Sequence, residues 1–180
     1  MTSIWLQPEG RQELELPALI ERLAADHHTV SFCPHLTVCS VPDDAAVLDA
    51  AAAYVRECGL LPLKVSKTAV TGAVITPFRA VFIEVENSPA LREFRERLRD
   101  IAGAPELIPP HISLLYTLDR VSQAHRPDLN GKVLAAIAAR CAEGIEDTEF
   151  MLSRPVVNST GATETDVRNW TVVRDIGKEQ

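Results

Sequence analysis

Long apolar stretches are missing from this chain of 180 residues. No apolar run approaches the roughly 18 residues that a membrane-spanning helix needs, so no membrane partner is expected. The first ten residues, MTSIWLQPEG, lack a basic segment followed by an apolar one, so no secretory signal peptide is expected either. These two absences favour a cytoplasmic protein.

Basic residues are also scarce, with 18 Lys and Arg against 25 Asp and Glu and a formal net charge of −7. Affinity for the phosphate backbone of a long nucleic acid depends on clustered Lys and Arg, so we expect no stable nucleic-acid complex. A small phosphate ester in a local pocket remains compatible with this charge. The basic run LREFRERLRD is interleaved with acids and predicts a solvated helix face with i,i+4 pairs.

Cysteine is present only four times, as Cys33, Cys39, Cys58 and Cys141. None of them forms a CxxC pair, and their spacing fits no zinc site. In a reducing compartment, buried free thiols are the expected state.

The hydrophobic pattern predicts an alternation of strands and helices. The expected order is strand, helix, strand, helix, two strands, helix, strand, helix and two strands. Within it, Pro17 is expected in the first turn of the first helix, and Gly72 to Pro77 in a connection between two strands. Ser88 and Gly103 are expected to cap the third helix. The predicted segments are 3–8, 16–28, 35–41, 42–59, 61–70, 79–86, 88–103, 111–118, 130–144, 149–157 and 169–176.

One short pattern occurs twice, 76 residues apart: PHLTV begins at residue 34 and PHISL at residue 110. Each copy has a proline, a histidine, an aliphatic residue, a hydroxyl residue and a second aliphatic residue. One match is weak evidence, but two copies half a chain apart indicate a diverged internal duplication. We therefore predict one domain over residues 1–180, an α+β fold of two pseudo-symmetric lobes. Antiparallel sheets would line a central cleft, with helices packed outside.

The repeated pattern brings an imidazole and a hydroxyl to the same strand face. Because side chains alternate along a strand, His35 lies beside Thr37, and His111 beside Ser113. If the lobes are symmetric, both pairs converge on one groove. A histidine titrates near pH 6.5, so near neutral pH one imidazole can act as a base while the other, charged, acts as an acid. The hydroxyls can bind phosphoryl oxygens, and no metal or other cofactor is required.

The paired HLTV and HISL motifs resemble the two signature motifs of the 2H phosphoesterase superfamily. SIWLQP, FRAVFIEV, PHISLLY and NWTVV are further similar to the cyclic phosphodiesterases of plants and yeast. The resemblance implies a bilobal α+β fold, with His35 and His111 as catalytic residues and Thr37 and Ser113 as phosphate ligands. It also implies hydrolysis of ADP-ribose 1″,2″-cyclic phosphate and of nucleoside 2′,3′-cyclic phosphates. By analogy the 3′-oxygen leaves, and we assign His111 as the base and His35 as the acid.

Five other residues have candidate roles. Trp5 lies on the strand face opposite Ile4 and Leu6, where it either stacks on a base or packs in the interior. Tyr116 matches a tyrosine of the family motif, but strict alternation turns it to the core unless the strand bends. Cys39 shares the face of His35 and is expected at the floor of the groove. Arg79 could meet a phosphate, but a solvated strand-end arginine is the expected case, and Trp170 is expected to be a core residue.

Three alternatives to a monomeric cyclic phosphodiesterase of small nucleotides remain open at the level of sequence. An RNA ligase-like enzyme or RNA 2′,3′-cyclic phosphodiesterase of the same superfamily would need a basic track beside the cleft. A non-catalytic nucleotide-binding domain would need no acid–base pair. A histidine-based metal enzyme would need a further carboxylate or histidine near one motif, and neither motif has one.

Overall fold

The computed structural model of the chain describes residues 2–105, 107–159 and 167–178. Four helices and seven strands in these ranges follow the predicted order. They are β1 (Thr2–Pro8), α1 (Gln12–Asp26), β2 (Leu36–Val41), α2 (Ala45–Glu57), β3 (Leu63–Thr76), β4 (Arg79–Val85), α3 (Pro89–Ala102), β5 (His111–Leu115), α4 (Gly131–Gly144), β6 (Glu149–Ser159) and β7 (Thr171–Asp175). None of the helices described is both long enough and apolar enough to span a bilayer.

The seven strands form one antiparallel sheet in the order β1-β2-β5-β4-β3-β6-β7. An additional pairing of β1 with β6 connects distant positions in this order, so the hydrogen-bonded ladder returns on itself. The two histidine strands, β2 and β5, are neighbours that share a single registered pair, Leu36 with Ile112. This narrow junction lies where the two halves of the fold meet.

The helices pack on the face of the sheet that carries the aliphatic residues of the histidine motifs. Helix α4 packs on β3 and β4, α1 on β5 and β1, and α3 on β2, while α2 packs against α3. Leu36, Val38, Ile112 and Leu114 are fully buried in the resulting core. The predicted α+β class, with antiparallel strands and helices outside, is confirmed, and the strands of both halves join in a continuous sheet.

Helix ends follow the expected capping chemistry at several positions. The Asp44 side chain accepts hydrogen bonds from the first N–H groups of α2, and Asn130 does the same for α4. Ser88 caps α3, and Gly103 ends that helix with a φ of 60° in the left-handed region. Ser88 and Gly103 are the caps that the sequence predicted for α3, and both are confirmed.

Two predicted boundaries are wrong. Helix α1 begins at Gln12, so Pro17 lies inside the helix and not in its first turn. The first four residues of α1 are not buried, so they show no helical spacing of apolar residues that would mark them as part of the helix. Strand β3 continues to Thr76, so most of the predicted connection is strand. Gly72 lies there because β3 passes under α4, where a Cβ atom would overlap the backbone of Leu134.

Two cysteines depart from the expected burial, since Cys58 is only partly buried and Cys33 is exposed. All four thiols are free, as predicted, and Cys39 and Cys141 are buried. Cys33, however, is exposed, because it lies in the segment between α1 and β2 that leads into the first histidine motif.

Candidate active site

The sheet face opposite the helices carries a cleft of about 320 Å³. All four side chains predicted from the repeated motif, His35, Thr37, His111 and Ser113, line this one cleft. Its other lining residues are Ser3, Trp5, Ser40, Ile75, Thr76, Phe78, Arg79, Ile108, Tyr116 and Trp170. The two motifs therefore meet in space despite their separation in sequence.

The pairing of β2 with β5 sets the arrangement of the four motif side chains. The strands are antiparallel, and Leu36 lies opposite Ile112. Extended by one residue on either side, this register sets His35 level with Ser113 and Thr37 level with His111. Each imidazole thus adjoins the hydroxyl of the other motif as well as that of its own.

Both motif strands contain a bulge at the second aliphatic residue of the motif. Ile4 pairs with Cys39 and Trp5 with Thr37, so Val38 is an extra residue in β2. Val81 pairs with Leu115 and Phe82 with Ser113, so Leu114 is an extra residue in β5. An extra residue reverses the alternation of side chains beyond it.

The bulges change the faces of two candidate residues. Cys39, predicted at the floor of the groove, lies instead in the apolar core, and burial raises the pKa of its thiol to about 12. Ser40 lines the cleft in its place. In β5 the same reversal turns Tyr116 to the cleft, against the prediction from strict alternation. Its ring is nevertheless buried by a parallel stack on Phe32.

Each imidazole is held by a carbonyl two residues before it. Nδ1 of His35 lies 2.7 Å from the Cys33 carbonyl oxygen, and Nδ1 of His111 lies 2.9 Å from that of Pro109. Because a carbonyl only accepts, Nδ1 is the protonated nitrogen of both neutral rings. Nε2 is therefore the basic nitrogen in both rings. This is the tautomer that general base catalysis from the cleft needs.

The surroundings of both imidazoles disfavour their charged forms. The pKa of His35 is lowered to about 4, mainly by burial and in smaller part by the charge of a protonated His111, while the Cys33 hydrogen bond opposes the shift. Burial likewise lowers the pKa of His111 to about 4, with Arg79 and Arg95 adding to the effect. Both rings are therefore neutral at pH 7 in the free protein. This corrects the expectation of one neutral and one charged histidine, because the sequence does not reveal the burial.

The lowered pKa of His35 makes the stability of the protein sensitive to acid. Between pH 6.5 and pH 4 the unfolded chain binds more protons at this position than the folded protein, so stability falls as the pH falls. When the pH falls from 7 to 5, we expect the protonation of His35 to lower the free energy of unfolding by about 2 kcal/mol. Urea unfolding at both pH values should show a smaller loss for His35→Gln than for the wild type. Equal losses would contradict the lowered pKa.

An aromatic ring contacts each histidine from the neighbouring strand. Trp5 pairs with Thr37 and stacks on His35, with ring centroids 3.5 Å apart and planes at 6°. Phe82 pairs with Ser113 and meets His111 edge to face at 5.6 Å. The two halves thus place an aromatic residue at equivalent positions. Trp5 lies at the cleft as predicted, but one face of its indole is occupied by His35.

The two motif hydroxyls have different partners. Ser113 donates a hydrogen bond of 2.9 Å to the Phe78 carbonyl. The Thr37 hydroxyl lines the cleft, and no side-chain hydrogen bond to it is found within the part of the chain that the structure describes. Thr37 is therefore the hydroxyl better placed to donate to a ligand, whereas Ser113 must first release Phe78.

Arg79 is a cleft residue, which corrects its prediction as a solvated arginine. Its guanidinium lies 4.4 Å from the centroid of the Phe82 ring, in cation–π contact. Its Nε is buried and has no hydrogen-bond partner in the residues described. Arg79 lines the cleft, and a guanidinium at such a position is suited to an anionic ligand.

Arg95 is a buried residue next to both motifs that the sequence analysis missed. It is 3% exposed on α3, where a solvated basic face was predicted. Its Nε donates to the carbonyl of Val38, the bulge residue of the first motif, and its Nη2 to that of Ile108, just before the second motif. Arg95 therefore links both motifs. Its spacing from the buried Leu91 and Leu98 is the signal that places it on the apolar face of α3.

Trp170 is only partly buried and does not belong to the main core, contrary to its prediction. It lines the cleft and contacts the rings of Trp5, Phe78 and Tyr116. Of the residues described, no three His, Cys, Asp or Glu side chains are grouped so that they could hold a metal ion.

Neither a protein-family model nor a curated protein matches the sequence. Solved structures do match the fold. The chain is 12% identical to Usb1 of Kluyveromyces marxianus, with a TM-score of 0.52 over 96% of this chain and 97% of that one. It is 15% identical to Escherichia coli LigT complexed with phosphate, with a TM-score of 0.50 over 96% and 93% of the two chains. A crystal structure described as a phosphoesterase is 14% identical, with a TM-score of 0.50 over 87% and 86%. The chain therefore has the fold of the 2H phosphoesterases, the superfamily that its two histidine motifs resemble.

Proposed function

We propose that this protein is a phosphodiesterase that hydrolyses small cyclic phosphodiesters with its two histidines as acid and base. The supporting observation is the cleft itself, where two imidazoles with basic Nε2 atoms adjoin two hydroxyls and a guanidinium. The proposed substrates are ADP-ribose 1″,2″-cyclic phosphate, giving ADP-ribose 1″-phosphate, and nucleoside 2′,3′-cyclic phosphates, giving nucleoside 2′-phosphates.

In the proposed reaction a water oxygen attacks phosphorus while one imidazole removes its proton. The bond from phosphorus to the 3′-oxygen breaks, and the other imidazole, protonated, donates its proton to that oxygen. The bound phosphodiester anion raises the pKa of both imidazoles, so a proton absent from the free protein can be held in the complex. Two proton transfers thus need no metal ion, and activity should persist in chelator.

The surroundings of the two rings support His111 as the base and His35 as the acid. The positive charge of Arg79 lowers the pKa of His111 and favours its neutral form. The face of the Trp5 indole on His35 attracts a cation, so it favours an imidazolium there. Thr37 and Arg79 would then donate to the non-bridging oxygens as negative charge grows in the transition state.

The neighbours in fold support a phosphate ester as ligand. One of them is E. coli LigT with phosphate, and another is K. marxianus Usb1 with uridine monophosphate. A phosphate-binding cleft in this chain agrees with both, although identities of 12% to 15% carry the fold alone.

A second candidate function, action on the 2′,3′-cyclic phosphate end of an RNA, has one observation in its favour. Ile108 lines the cleft and also a groove along α3 that contains Arg92, Arg95 and Arg99. These arginines could contact the backbone of a strand that leaves the cleft. Arg95 already donates to two carbonyls and Arg99 to Asp100. The groove should therefore bind an RNA backbone more weakly than its three arginines would indicate.

The decisive experiment is a turnover panel of four nucleoside 2′,3′-cyclic phosphates, ADP-ribose 1″,2″-cyclic phosphate and an oligonucleotide with a cyclic phosphate end, all in chelator. We expect turnover of the small substrates with phosphorus NMR signals of 2′-phosphate or 1″-phosphate products. Preferential turnover of the oligonucleotide would favour the second candidate. Binding without turnover at any pH would refute both and indicate a non-catalytic nucleotide-binding domain.

A further inference from the structure

A second cavity, of about 310 Å³, lies next to the cleft. We call it the Asn158 pocket, lined by Trp5, Gln7, Phe32, Asn158 and Trp170 together with smaller side chains. Trp5 and Trp170 line the cleft as well, so the two cavities share a wall. Its volume is at the lower end of the ~300–1,000 Å³ typical of small-molecule sites.

The pocket contains a buried polar group without a partner. Asn158 lies on β6 between Ser3 of β1 and Val172 of β7, and it is 2% exposed. Its Oδ1 is buried and accepts no hydrogen bond from any residue within 2–105, 107–159 and 167–178. Buried side-chain oxygens of this kind nearly always have a donor, since removal from water is otherwise uncompensated. An N–H or O–H group of a ligand that enters the pocket would supply the donor that Asn158 lacks among the described residues.

The aromatic lining determines what kind of group fits. Trp170 is partly exposed and Phe32 also borders the pocket, so a flat ring can lie against an aromatic surface. Carboxamides of Asn and Gln are the side chains that read the edges of bases, and the pocket has one of each. Trp5 cannot be the base-stacking platform, because it stacks on His35 and is 5% exposed.

We propose that the Asn158 pocket binds the nucleobase of the substrate, with Asn158 Oδ1 accepting a hydrogen bond from an N–H group on the edge of the base. The inference rests on the proposed function for the identity of the substrate as a nucleotide. Cys33, whose carbonyl holds His35, also lines the pocket. A base in the pocket thus lies directly beside the histidine that adjoins the phosphate.

The test uses binding, so that it does not depend on turnover. Adenosine 2′-monophosphate and glycerol 2-phosphate, which has no base, are each titrated into the wild type and Asn158→Leu by calorimetry. We expect Asn158→Leu to weaken binding of the nucleotide about 10-fold and to leave that of glycerol 2-phosphate unchanged. The chain has two tryptophans, Trp5 and Trp170, and both line the pocket, so nucleotide binding should also quench intrinsic fluorescence.

Asn87→Leu is the matched control, since Asn87 is exposed on the groove along α3. It should bind both ligands as the wild type does. The melting temperature of Asn158→Leu should not fall, because a buried amide whose oxygen has no donor among the described residues is replaced by an apolar group of similar size. A structural role for Asn158 would instead lower the melting temperature.

Three results would overturn the pocket proposal: unchanged nucleotide binding in Asn158→Leu, equal weakening for both ligands, or no advantage of the nucleotide over glycerol 2-phosphate in the wild type. If cyclic phosphates are hydrolysed but one of these results is found, the proposed function stands and the pocket fails. If the nucleotide binds as expected without any turnover, the pocket stands and the catalytic proposal fails.

Discussion

Replacing either His35 or His111 by alanine is expected to reduce turnover of cyclic phosphates by ~10²-fold or more, since each proton transfer contributes about that factor or more. The two losses should not multiply in the double variant, because the acid and the base act in one transition state. Steady-state rates of the three variants and the wild type, on the best substrate of the panel, measure this effect.

His125→Ala is the matched control for the two histidine variants. His125 is exposed and lies outside the cleft, so its loss should leave the rate unchanged. The far-ultraviolet circular dichroism of all variants should match that of the wild type, because both catalytic candidates point into the cleft and not into the core. A near-normal rate in either cleft variant would refute the assigned role of that residue.

The pH dependence of the wild type tests the same pair of histidines. Profiles of kcat and of kcat/KM should both be bell-shaped and report the coupled pair. Burial lowers both pKa values to about 4 in the free protein. The decrease of kcat/KM on the alkaline side of the profile should therefore already begin in the acidic range. The bound anion raises these pKa values, so the alkaline limb of kcat should lie at higher pH. Coincident limbs would contradict this account.

Replacing Arg95 by methionine is expected to reduce kcat by ~10²-fold, since a misplacement of about 1 Å can cost this much. The change removes the donors that Arg95 supplies to the carbonyls of Val38 and Ile108, and so releases both histidine motifs from α3. Stability should fall by only about 2 kcal/mol. The unsatisfied Val38 carbonyl destabilises the variant, but the cost of burying a guanidinium without a carboxylate is also removed.

Two further variants separate a positioning role of Arg95 from a general packing role. Arg97→Met changes the exposed face of the same helix and should leave both rate and stability unchanged. Arg95→Lys retains the charge but cannot span two carbonyls as a guanidinium fork does, so it should recover only part of the rate. Full activity in Arg95→Met would contradict the positioning role. So would a loss of rate that is fully explained by the smaller fraction of folded protein.

Much of the fold could be predicted because it depends on local chemistry. Alternating and helical apolar periods revealed the order of elements, and Ser88 and Gly103 marked the ends of α3. The start of α1 and the length of β3 escaped prediction for a common reason. Both depend on contacts outside the segment itself. The first turn of α1, from Gln12, has no helical spacing of apolar residues, and Gly72 resembles a loop residue unless the overlying α4 is known.

Side-chain faces at the site were predicted correctly up to the second aliphatic residue of each motif. Beyond it, the bulges at Val38 and Leu114 reversed the alternation, so that Cys39 and Tyr116 lie on faces opposite to those expected. A bulge is a property of the paired strands and not of a strand alone, since it appears only when two residues oppose one on the neighbouring strand.

The sequence by itself determined the chemistry that is available: two imidazoles and two hydroxyls on apolar strands, repeated half a chain apart. Strand alternation is a local rule, so it was enough to put His35 beside Thr37 and His111 beside Ser113. Only the tertiary structure decided that both pairs line one cleft, that burial lowers both histidine pKa values, that Arg79 lines the same cleft, and that Arg95 connects the two motifs. Burial, charge and hydrogen bonds between distant segments exist only after the chain has folded, and no local pattern encodes them.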